Sequence, residues 1–319
     1  MAKTSFCVSL AVLFPFTACA GDITAPQELV RLFEYDPSQP LDIKDTIIEQ
    51  TADAIIHDIS YISPKEGRVT AYLVEPASPG RYAGIVFGHW GYGTRTEFMA
   101  EARLYAKAGA ISLLIDAPWV RPAPWRRNMS NFSNSELDRD LLIQAAVDIR
   151  RGFDLMLARP DIDSGRIAYV GHSCGAQLGA AVVAVDKRMK TCVLMGGVGE
   201  LADIALRSDE PDMVQLRASV PPEDVAKYVD IQAPLDGIRY VPYAAPVPLL
   251  FQFAQYERYF DKASMDRYAA AASEPKEVKW YPTGHELFDF RALVDRAAWL
   301  EKHIGLKPVA PILDAMIRQ

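Results

Sequence analysis

The chain has 319 residues, of which 50% are hydrophobic and 24% charged, so it is a globular protein with enough residues to bury one large core or two ordinary ones. This composition excludes a disordered chain, a collagen and a coiled coil. The formal charge is −7, which gives the surface no general attraction for phosphate backbones, and we expect no nucleic-acid partner.

The first predicted element is an export signal. Residues 1–20 combine a single lysine with the apolar run 6–14, which is too short for a membrane-spanning helix. The segment Ala18-Cys19-Ala20 is typical of a cleavage site, and we prefer simple cleavage at this point, with 21–319 as a single domain. The alternative is a lipobox in which Cys19 carries a lipid anchor. The sequence therefore predicts a periplasmic or secreted protein without a stable membrane span.

Two cysteines remain after that segment is removed. Cys174 and Cys192 are too few for a disulfide framework, and the core must carry the fold. A single bridge between them is one possibility, and two buried free thiols are the preferred one. Neither residue has a CxxC or histidine partner at ligand spacing, so we expect no metal site.

From residue 51 onward, apolar or β-branched runs alternate with helical patterns, which predicts a mostly parallel sheet with helices on both faces. The predicted strands are 55–62, 69–74, 84–87, 111–115, 167–170, 191–195, 248–253 and 276–281. The predicted helices are 97–107, 135–157, 175–185, 262–272 and 288–303. The proline-rich stretch 118–134 is predicted to be a surface loop, and 197–245 a lid-like insertion before the strand 248–253.

The segment Gly171-His172-Ser173-Cys174-Gly175 carries the strongest chemical signal. A predicted strand precedes it and a predicted helix follows it, which is the context in which a G-x-S-x-G pentapeptide forms a nucleophile elbow. Glycines at both flanks let the strand and the helix approach each other without a side-chain clash. Ser173 is therefore the candidate nucleophile.

A serine hydroxyl needs a base that accepts its proton, and for such an elbow the expected chain order is serine, acid, histidine. Two histidines follow Ser173. His285 comes just after the last predicted strand and is the candidate base, whereas His303 lies inside the final helix and is predicted to be structural. His57 is also predicted to be structural, and His172 is predicted to be only the filler position of the elbow.

The acid that orients His285 should come from the loop after the strand 248–253. Glu257 and Asp261 are both in that region. Asp261 has the position of a helix N-cap, with Ser264 three residues later, so Glu257 is the preferred acid. Glutamate in place of aspartate is tolerated in triads of this kind.

Ester or amide hydrolysis also needs hydrogen-bond donors for the oxyanion that develops on the carbonyl oxygen. The backbone N–H of Cys174, directly after the nucleophile, is the first candidate. The glycine-rich stretch Gly88-His89-Trp90-Gly91-Tyr92-Gly93 follows a predicted strand and supplies the second, from Gly91 or Trp90. The stretch has neither the Gly-Lys-Ser/Thr nor the G-x-G-x-x-G spacing of a phosphate loop.

Several loop residues are candidates for the substrate pocket and its surroundings. The candidate wall residues are the aromatics Trp90, Tyr92, Trp119 and Trp125. The insertion is predicted to close over the cleft and holds Tyr228, Tyr240 and Tyr243. The loop 118–134 also holds three arginines, for which a solvated basic loop is the preferred interpretation and attraction of a carboxylate-bearing substrate is the alternative: Arg121, Arg126 and Arg127.

Over about 68–304 the chain resembles α/β-hydrolases of the dienelactone-hydrolase and prolyl-oligopeptidase-like branch. The residues that carry the resemblance are His89-Trp90-Gly91, the run Ser112-Leu113-Leu114-Ile115-Asp116-Ala117-Pro118, the elbow around Ser173, Phe251-Gln252-Phe253 and Gly284-His285. The resemblance implies an α/β-hydrolase fold and a Ser173, His285 and Glu257 triad. Dienelactone hydrolases have a cysteine nucleophile where this chain has a serine, which argues against their substrate.

We therefore expect an enzyme that hydrolyses a carboxylic ester through an acyl-enzyme, with a small-molecule ester as substrate and no cofactor. The same triad permits a peptidase or amidase, and that is the alternative within enzymes. A protein that keeps the scaffold but has lost activity and only binds ligands is the alternative outside them.

Overall fold

The computed structural model describes residues 24–317, and nine strands form one sheet in this part of the chain. The strands are β1 (Lys44–Gln50), β2 (Ala54–Ile62), β3 (Arg68–Pro76), β4 (Tyr82–Gly88), β5 (Ala110–Ile115), β6 (Ile162–His172), β7 (Thr191–Met195), β8 (Leu249–Tyr256) and β9 (Lys276–Gly284). Their order across the sheet is β1-β2-β3-β5-β4-β6-β7-β8-β9. The first three strands are antiparallel, β3 pairs antiparallel with β5, and all pairs from β5 to β9 are parallel.

Helices pack on both faces of the sheet. They are α1 (Gln27–Arg31), α2 (Met99–Lys107), α3 (Ser135–Leu157), α4 (Cys174–Val185), α5 (Leu201–Ala205), α6 (Pro211–Ala218), α7 (Pro222–Gln232), α8 (Lys262–Ala271), α9 (Phe290–Ile304) and α10 (Val309–Ile317). One core layer lies between the sheet and α1, α3, α4 and α8, and the other lies between the sheet and α2, α9 and α10. The predicted fold class, a mostly parallel sheet covered on both faces, is confirmed.

The longest helix follows directly from its local sequence. The Asn134 side chain accepts a hydrogen bond from the Leu137 N–H and caps α3, whose first turn carries two acidic residues. Apolar residues at helical spacing then bury one face of α3 in the core. In residues 24–317, no helix has both the length and the hydropathy that a bilayer crossing requires. The predicted signal 1–20, with Cys19, lies outside the described residues.

Parallel pairing brings the ends of the central strands to one edge of the sheet. In the register of the strands, Gly88 lies opposite Gly171, and His172 lies opposite Met195. Met195 in turn lies opposite Gln252 in β8. The residues that follow β4, β6, β8 and β9 therefore converge at the carboxyl edge, which is where open α/β sheets bind ligands.

Sequence patterns missed the strand β1, the helices α1 and α10, and the insertion helices α5, α6 and α7. Strand β1 is an edge strand that is exposed along nearly its whole length, so it lacks the alternation of buried and exposed positions by which strands are recognised. The last two predicted elements also have different limits in the structure. Strand β9 continues to Gly284 rather than ending at Tyr281, and α9 begins at Phe290 rather than Phe288.

The loop 118–134 contains a buried charge that the sequence analysis placed in solvent. The Arg121 side chain is 1% exposed and donates to Asp148 of α3, with 2.5 Å between Nη2 and Oδ2. The Asp148 carboxylate also accepts a hydrogen bond of 2.6 Å from the Ser63 hydroxyl. Arg121 thus anchors the loop to the core, and it is unavailable to a substrate.

The insertion 197–245 lies between β7 and β8 and is largely helical. Its helices form a small apolar cluster with the loop 118–134, in which the rings of Phe132 and Tyr228 are 4.5 Å apart. Tyr240 and Tyr243 do not cover the cleft as predicted. Both pack against the main core, because the chain returns to the sheet before β8 begins.

Candidate active site

Ser173 lies at the sharp turn between β6 and α4. Its backbone has φ +53° and ψ −112°, a conformation that side-chain-bearing residues rarely adopt. The Ser173 N–H donates to the Met195 carbonyl of the neighbouring strand at 2.7 Å, which holds the turn against the sheet. The strain is of order 1–3 kcal/mol, and the surrounding packing offsets it.

Two glycines make this turn possible. A Cβ atom on Gly175 would lie 2.1 Å from the Gly88 carbonyl oxygen, and one on Gly171 would lie 2.4 Å from the carbonyl oxygen of Gly175. Both contacts are with backbone, which cannot move aside without shifting a strand or the helix. The close approach of β4, β6 and α4 therefore requires glycine at these positions.

His285 and Glu257 complete a chain of hydrogen bonds that begins at Ser173. The Ser173 hydroxyl lies 2.8 Å from His285 Nε2, and His285 Nδ1 lies 2.7 Å from Glu257 Oε2. A carboxylate only accepts, so Nδ1 carries the hydrogen and Nε2 is free to accept from the serine hydroxyl. The side chains of His285 and Glu257 are each 1% exposed.

The loop after β8 fixes the position of the Glu257 carboxylate. Its Oε1 atom accepts from the backbone N–H groups of Arg258 and Tyr259, each at 2.9 Å, while Oε2 accepts from the imidazole. Asp261 accepts from the Ser264 N–H and hydroxyl at 2.8 Å and caps α8. These hydrogen bonds lower the pKa of Asp261. Of the two candidate acids, Glu257 is the one in contact with His285.

The remaining candidate histidines lie away from Ser173. The ring of His303 packs against Trp299 of the same helix, with 4.2 Å between ring centroids, and partial burial lowers its pKa. His57 in β2 lies 2.8 Å from Asp45 of the neighbouring strand.

The two candidate amides of the glycine-rich stretch, those of Trp90 and Gly91, differ in whether they already donate a hydrogen bond. The Trp90 N–H donates to Glu97 Oε2 at 2.8 Å, so its hydrogen is already used. The N–H groups of Gly91 and Cys174 have no acceptor in residues 24–317, and both residues line the cavity in front of Ser173. The Gly91 carbonyl is held by the Trp119 indole N–H at 2.8 Å.

The elbow histidine is not a filler, which corrects the sequence analysis. His172 Nδ1 lies 2.5 Å from Glu97 Oε1, and His172 Nε2 lies 2.9 Å from the carbonyl oxygen of His285. Because the second oxygen of Glu97 accepts from Trp90, these two side chains connect the glycine-rich loop after β4 to the loop that carries His285. Sequence analysis did not consider Glu97, which precedes α2 and matches no motif.

Ser173 faces a cavity of about 480 Å³. The cavity is lined by Trp90, Gly91, Tyr92, Trp119, Asn128, Met129, Asn131, Leu142, Ser173, Cys174, Gln177, Gly196, Val198, Leu201, Ile204, Met213, Tyr228, Tyr259 and Phe260. No aspartate, glutamate, lysine or arginine of the described chain is among them. Tyr92 and Trp119 were predicted as wall residues and do line the cavity, and the insertion contributes four apolar or aromatic side chains from α5, α6 and α7.

Trp125 is not part of this cavity, although it was predicted to be a wall residue. Its ring packs beside Gly67, 3.2 Å from where a Cβ atom would be, and lines a separate surface cavity with Lys44 and Ile59. Trp125 thus lies against the antiparallel strands β1, β2 and β3 and not in the cavity that Ser173 faces.

No family model and no curated relative matches the sequence, whereas many solved structures match the fold. An acetyl xylan esterase from a Paenibacillus species superimposes with a TM-score of 0.69 at 18% identity, covering 87% of this chain and 92% of that one. Acetyl xylan esterase 1 from a Thermoanaerobacterium species has the same TM-score at 16% identity, over 87% and 94%. A cold-adapted esterase from an Arctic intertidal metagenomic library gives 0.60 at 17% identity, over 82% and 97%.

The chain has the α/β-hydrolase fold. This fold carries its nucleophile at a strand-to-helix elbow, and the histidine follows the last strand of the sheet. Ser173 and His285 have these positions here, and Glu257 follows β8 in the expected chain order.

Residues 24–317 contain no group of three or more histidine, cysteine or acidic side chains placed to hold a metal ion. Cys174 and Cys192 are both free thiols, but only Cys192 is buried as predicted, because Cys174 lines the cavity and is partly exposed. Burial raises the pKa of the Cys174 thiol to about 12, so it stays protonated at neutral pH and is a weak nucleophile.

Proposed function

We propose that this protein is a serine hydrolase that cleaves carboxylic esters. The observation that carries the proposal is the hydrogen-bonded series from Ser173 through His285 to Glu257 at the mouth of an apolar cavity. The esterases among the structurally similar proteins support an ester as substrate. We also propose that residues 1–20 direct the protein out of the cytoplasm.

In the first half of the reaction, Ser173 Oγ attacks the ester carbonyl carbon while its proton passes to His285 Nε2. The tetrahedral intermediate then collapses, the bond to the alcohol oxygen breaks, and the proton on Nε2 passes to that oxygen. The product alcohol leaves, and the acyl group remains bonded to Ser173. Glu257 holds the ring in the required tautomer and stabilises its positive charge.

In the second half, water attacks the acyl carbon and gives its proton to His285 Nε2. Collapse of the second intermediate returns that proton to Ser173 and releases the carboxylic acid. The N–H groups of Cys174 and Gly91 are the proposed donors to the oxyanion in both halves, because both residues line the cavity and neither N–H has an acceptor in residues 24–317. One such donor contributes about 3 kcal/mol to transition-state stabilisation.

A fluorophosphonate probe tests the proposal directly, since it reacts with an activated serine. We expect stoichiometric labelling of the intact protein, located at Ser173 by peptide mass spectrometry, and no labelling of His285→Ala. Release of 4-nitrophenol from an ester but not of 4-nitroaniline from the matched anilide would separate an esterase from an amidase. If the folded wild-type protein never reacts at Ser173, the proposal is wrong and the protein is a scaffold without hydrolase activity.

Glu97 should affect the rate although it does not touch the substrate. Replacing Glu97 with alanine leaves the Trp90 N–H and His172 Nδ1 without their acceptor, which loosens both loops that carry the proposed catalytic groups. We expect kcat to fall about 10- to 100-fold, as for other small displacements of positioned groups. Glu97→Gln should restore part of the loss, because an amide oxygen still accepts one hydrogen bond.

The control for Glu97 is Glu49→Ala, which removes a half-exposed carboxylate paired with Arg103. We expect this variant to keep wild-type kcat. Thermal unfolding is measured alongside. A Glu97→Ala protein with a lowered Tm and an unchanged kcat would show that the carboxylate is structural only.

A further inference from the structure

One buried polar side chain in the cavity has no role in the proposed reaction. Gln177 lies in the first turn of α4 and is 5% exposed. Neither atom of its side-chain amide has a hydrogen-bond partner in residues 24–317, and the residue lines the cavity beside Ser173. The two asparagines of the lining, Asn128 and Asn131, are exposed and can be satisfied by solvent.

Helix geometry directs the Gln177 amide toward the reacting centre. Gln177 follows Ser173 by four residues, and its backbone N–H donates to the Ser173 carbonyl at 3.0 Å, so the two residues lie on the same side of the first turn. The Cα–Cβ bonds of a helix tilt toward its N-terminus. A long side chain at position 177 therefore extends back over the elbow, toward Ser173.

No protein group of residues 24–317 holds this amide, which is open to the cavity. The cavity wall is mostly aromatic and aliphatic, and the Gln177 amide atoms are not among the fully buried unpaired atoms of these residues, so water in the cavity satisfies them until a ligand displaces it. A ligand that displaces such water without replacing its hydrogen bonds loses affinity. By contrast, the buried Gln144 on α3 accepts from Arg127 and donates to Ser63 and to the Glu66 carbonyl. A glutamine amide that no protein group of residues 24–317 pairs, on the wall of the cavity that Ser173 faces, fits a site whose partner arrives with the substrate.

We infer that Gln177 is a specificity-determining residue that binds an uncharged hydrogen-bonding group, a hydroxyl or a carbonyl oxygen, on an otherwise apolar ester. This inference rests on the proposed esterase function and names the class of ester. The absence of charged side chains from the described lining disfavours substrates with a carboxylate, phosphate or ammonium group, because such a group would lose its hydration without gaining a counter-ion. The amide offers both donors and an acceptor, so it matches a hydroxyl as well as a carbonyl.

Matched ester pairs measured on wild type and Gln177→Met test the inference, since methionine keeps the length of glutamine but neither donates nor accepts strongly. On the acyl side the probes are 4-nitrophenyl butyrate and its 2-hydroxy, 3-hydroxy and 3-oxo derivatives. On the alcohol side the probes are propyl butyrate and 2-hydroxyethyl butyrate, and their hydrolysis is measured as release of butyric acid. We expect kcat/KM for at least one polar probe to fall about 10-fold or more, while its apolar partner changes less than about 3-fold.

Leu178→Met is the matched control. It is the next residue of α4, also buried, and it does not line this cavity, so it reports any general effect of methionine on the helix. We expect it to leave the polar-to-apolar ratio unchanged. If Gln177→Met lowers both members of every pair by one common factor, or changes neither, the inference is wrong.

Failure of this inference is distinguishable from failure of the proposed function. Fluorophosphonate labelling of Ser173 is measured on wild type and on Gln177→Met. An esterase without this specificity residue is labelled and hydrolyses both probes at an unaltered ratio. A protein that is not a serine hydrolase is not labelled and hydrolyses neither probe, whereas a serine amidase is labelled and cleaves the 4-nitroanilide rather than the esters.

Discussion

Ser173→Ala is expected to lower kcat/KM for 4-nitrophenyl butyrate by about 10⁴-fold or more, because the nucleophile of a triad cannot be replaced by its neighbours. The substitution removes one oxygen atom and one hydrogen bond of 2.8 Å to His285. Alanine meets the same backbone strain at φ +53° that serine already tolerates, so we expect the fold to persist. The measurement is single-turnover and steady-state release of 4-nitrophenol, with circular dichroism and Tm on the same samples.

The matched control for this substitution is Ser133→Ala. Ser133 is an exposed serine that bonds only to the Ser130 carbonyl within its own loop, so its loss should not change the rate. Near-normal turnover by a folded Ser173→Ala protein would contradict the assignment of the nucleophile. If Ser173→Ala loses turnover and also unfolds, the wild type is compared with Ser173→Cys instead, because cysteine keeps a nucleophilic atom at the elbow.

Glu257→Gln is expected to reduce kcat by about 10²- to 10⁴-fold with a much smaller effect on KM. The amide has nearly the shape of the carboxylate, but it carries no negative charge to stabilise the imidazolium. It can also present its NH₂ group to His285 Nδ1 and so favour the wrong tautomer. Since both residues are 1% exposed, solvent cannot replace the missing charge.

Asp261→Asn is the matched comparison for the acid, four residues away in the same segment. The Asp261 carboxylate caps α8 through Ser264, and asparagine is an equally good cap, so we expect less than about a twofold change in kcat. Both variants are purified in parallel, and their rates on one aryl ester are measured at several pH values. These rates show which substitution costs more activity. A larger loss of kcat in Asp261→Asn than in Glu257→Gln would show that Asp261, and not Glu257, is the acid.

Local signals in the sequence were sufficient for most of the architecture. Helix α3 has the limits that its pattern predicts, because its cap, its buried periodicity and the following Pro160 are local signals, and strand β7 has its predicted limits because it is one continuous buried run. The elbow was recognisable for the same reason, because the two glycines around Ser173 indicate a tight backbone turn, and such a turn depends on residues that are adjacent in sequence. The edge strand β1 was missed because nothing buries it, and burial is what leaves a readable pattern.

The sequence by itself thus determined the fold class, the candidate nucleophile and base, and the region of the acid. The sequence favoured Glu257 over Asp261, and only the tertiary structure placed the Glu257 carboxylate against His285, showed that the Trp90 N–H already has an acceptor, and placed Trp125 outside the cavity. It also joined Glu97 to His172 and left the Gln177 amide on the cavity wall without a hydrogen-bond partner in residues 24–317. These features depend on contacts between segments as much as 75 residues apart, as with Glu97 and His172, and such contacts leave no periodicity or motif in the chain itself.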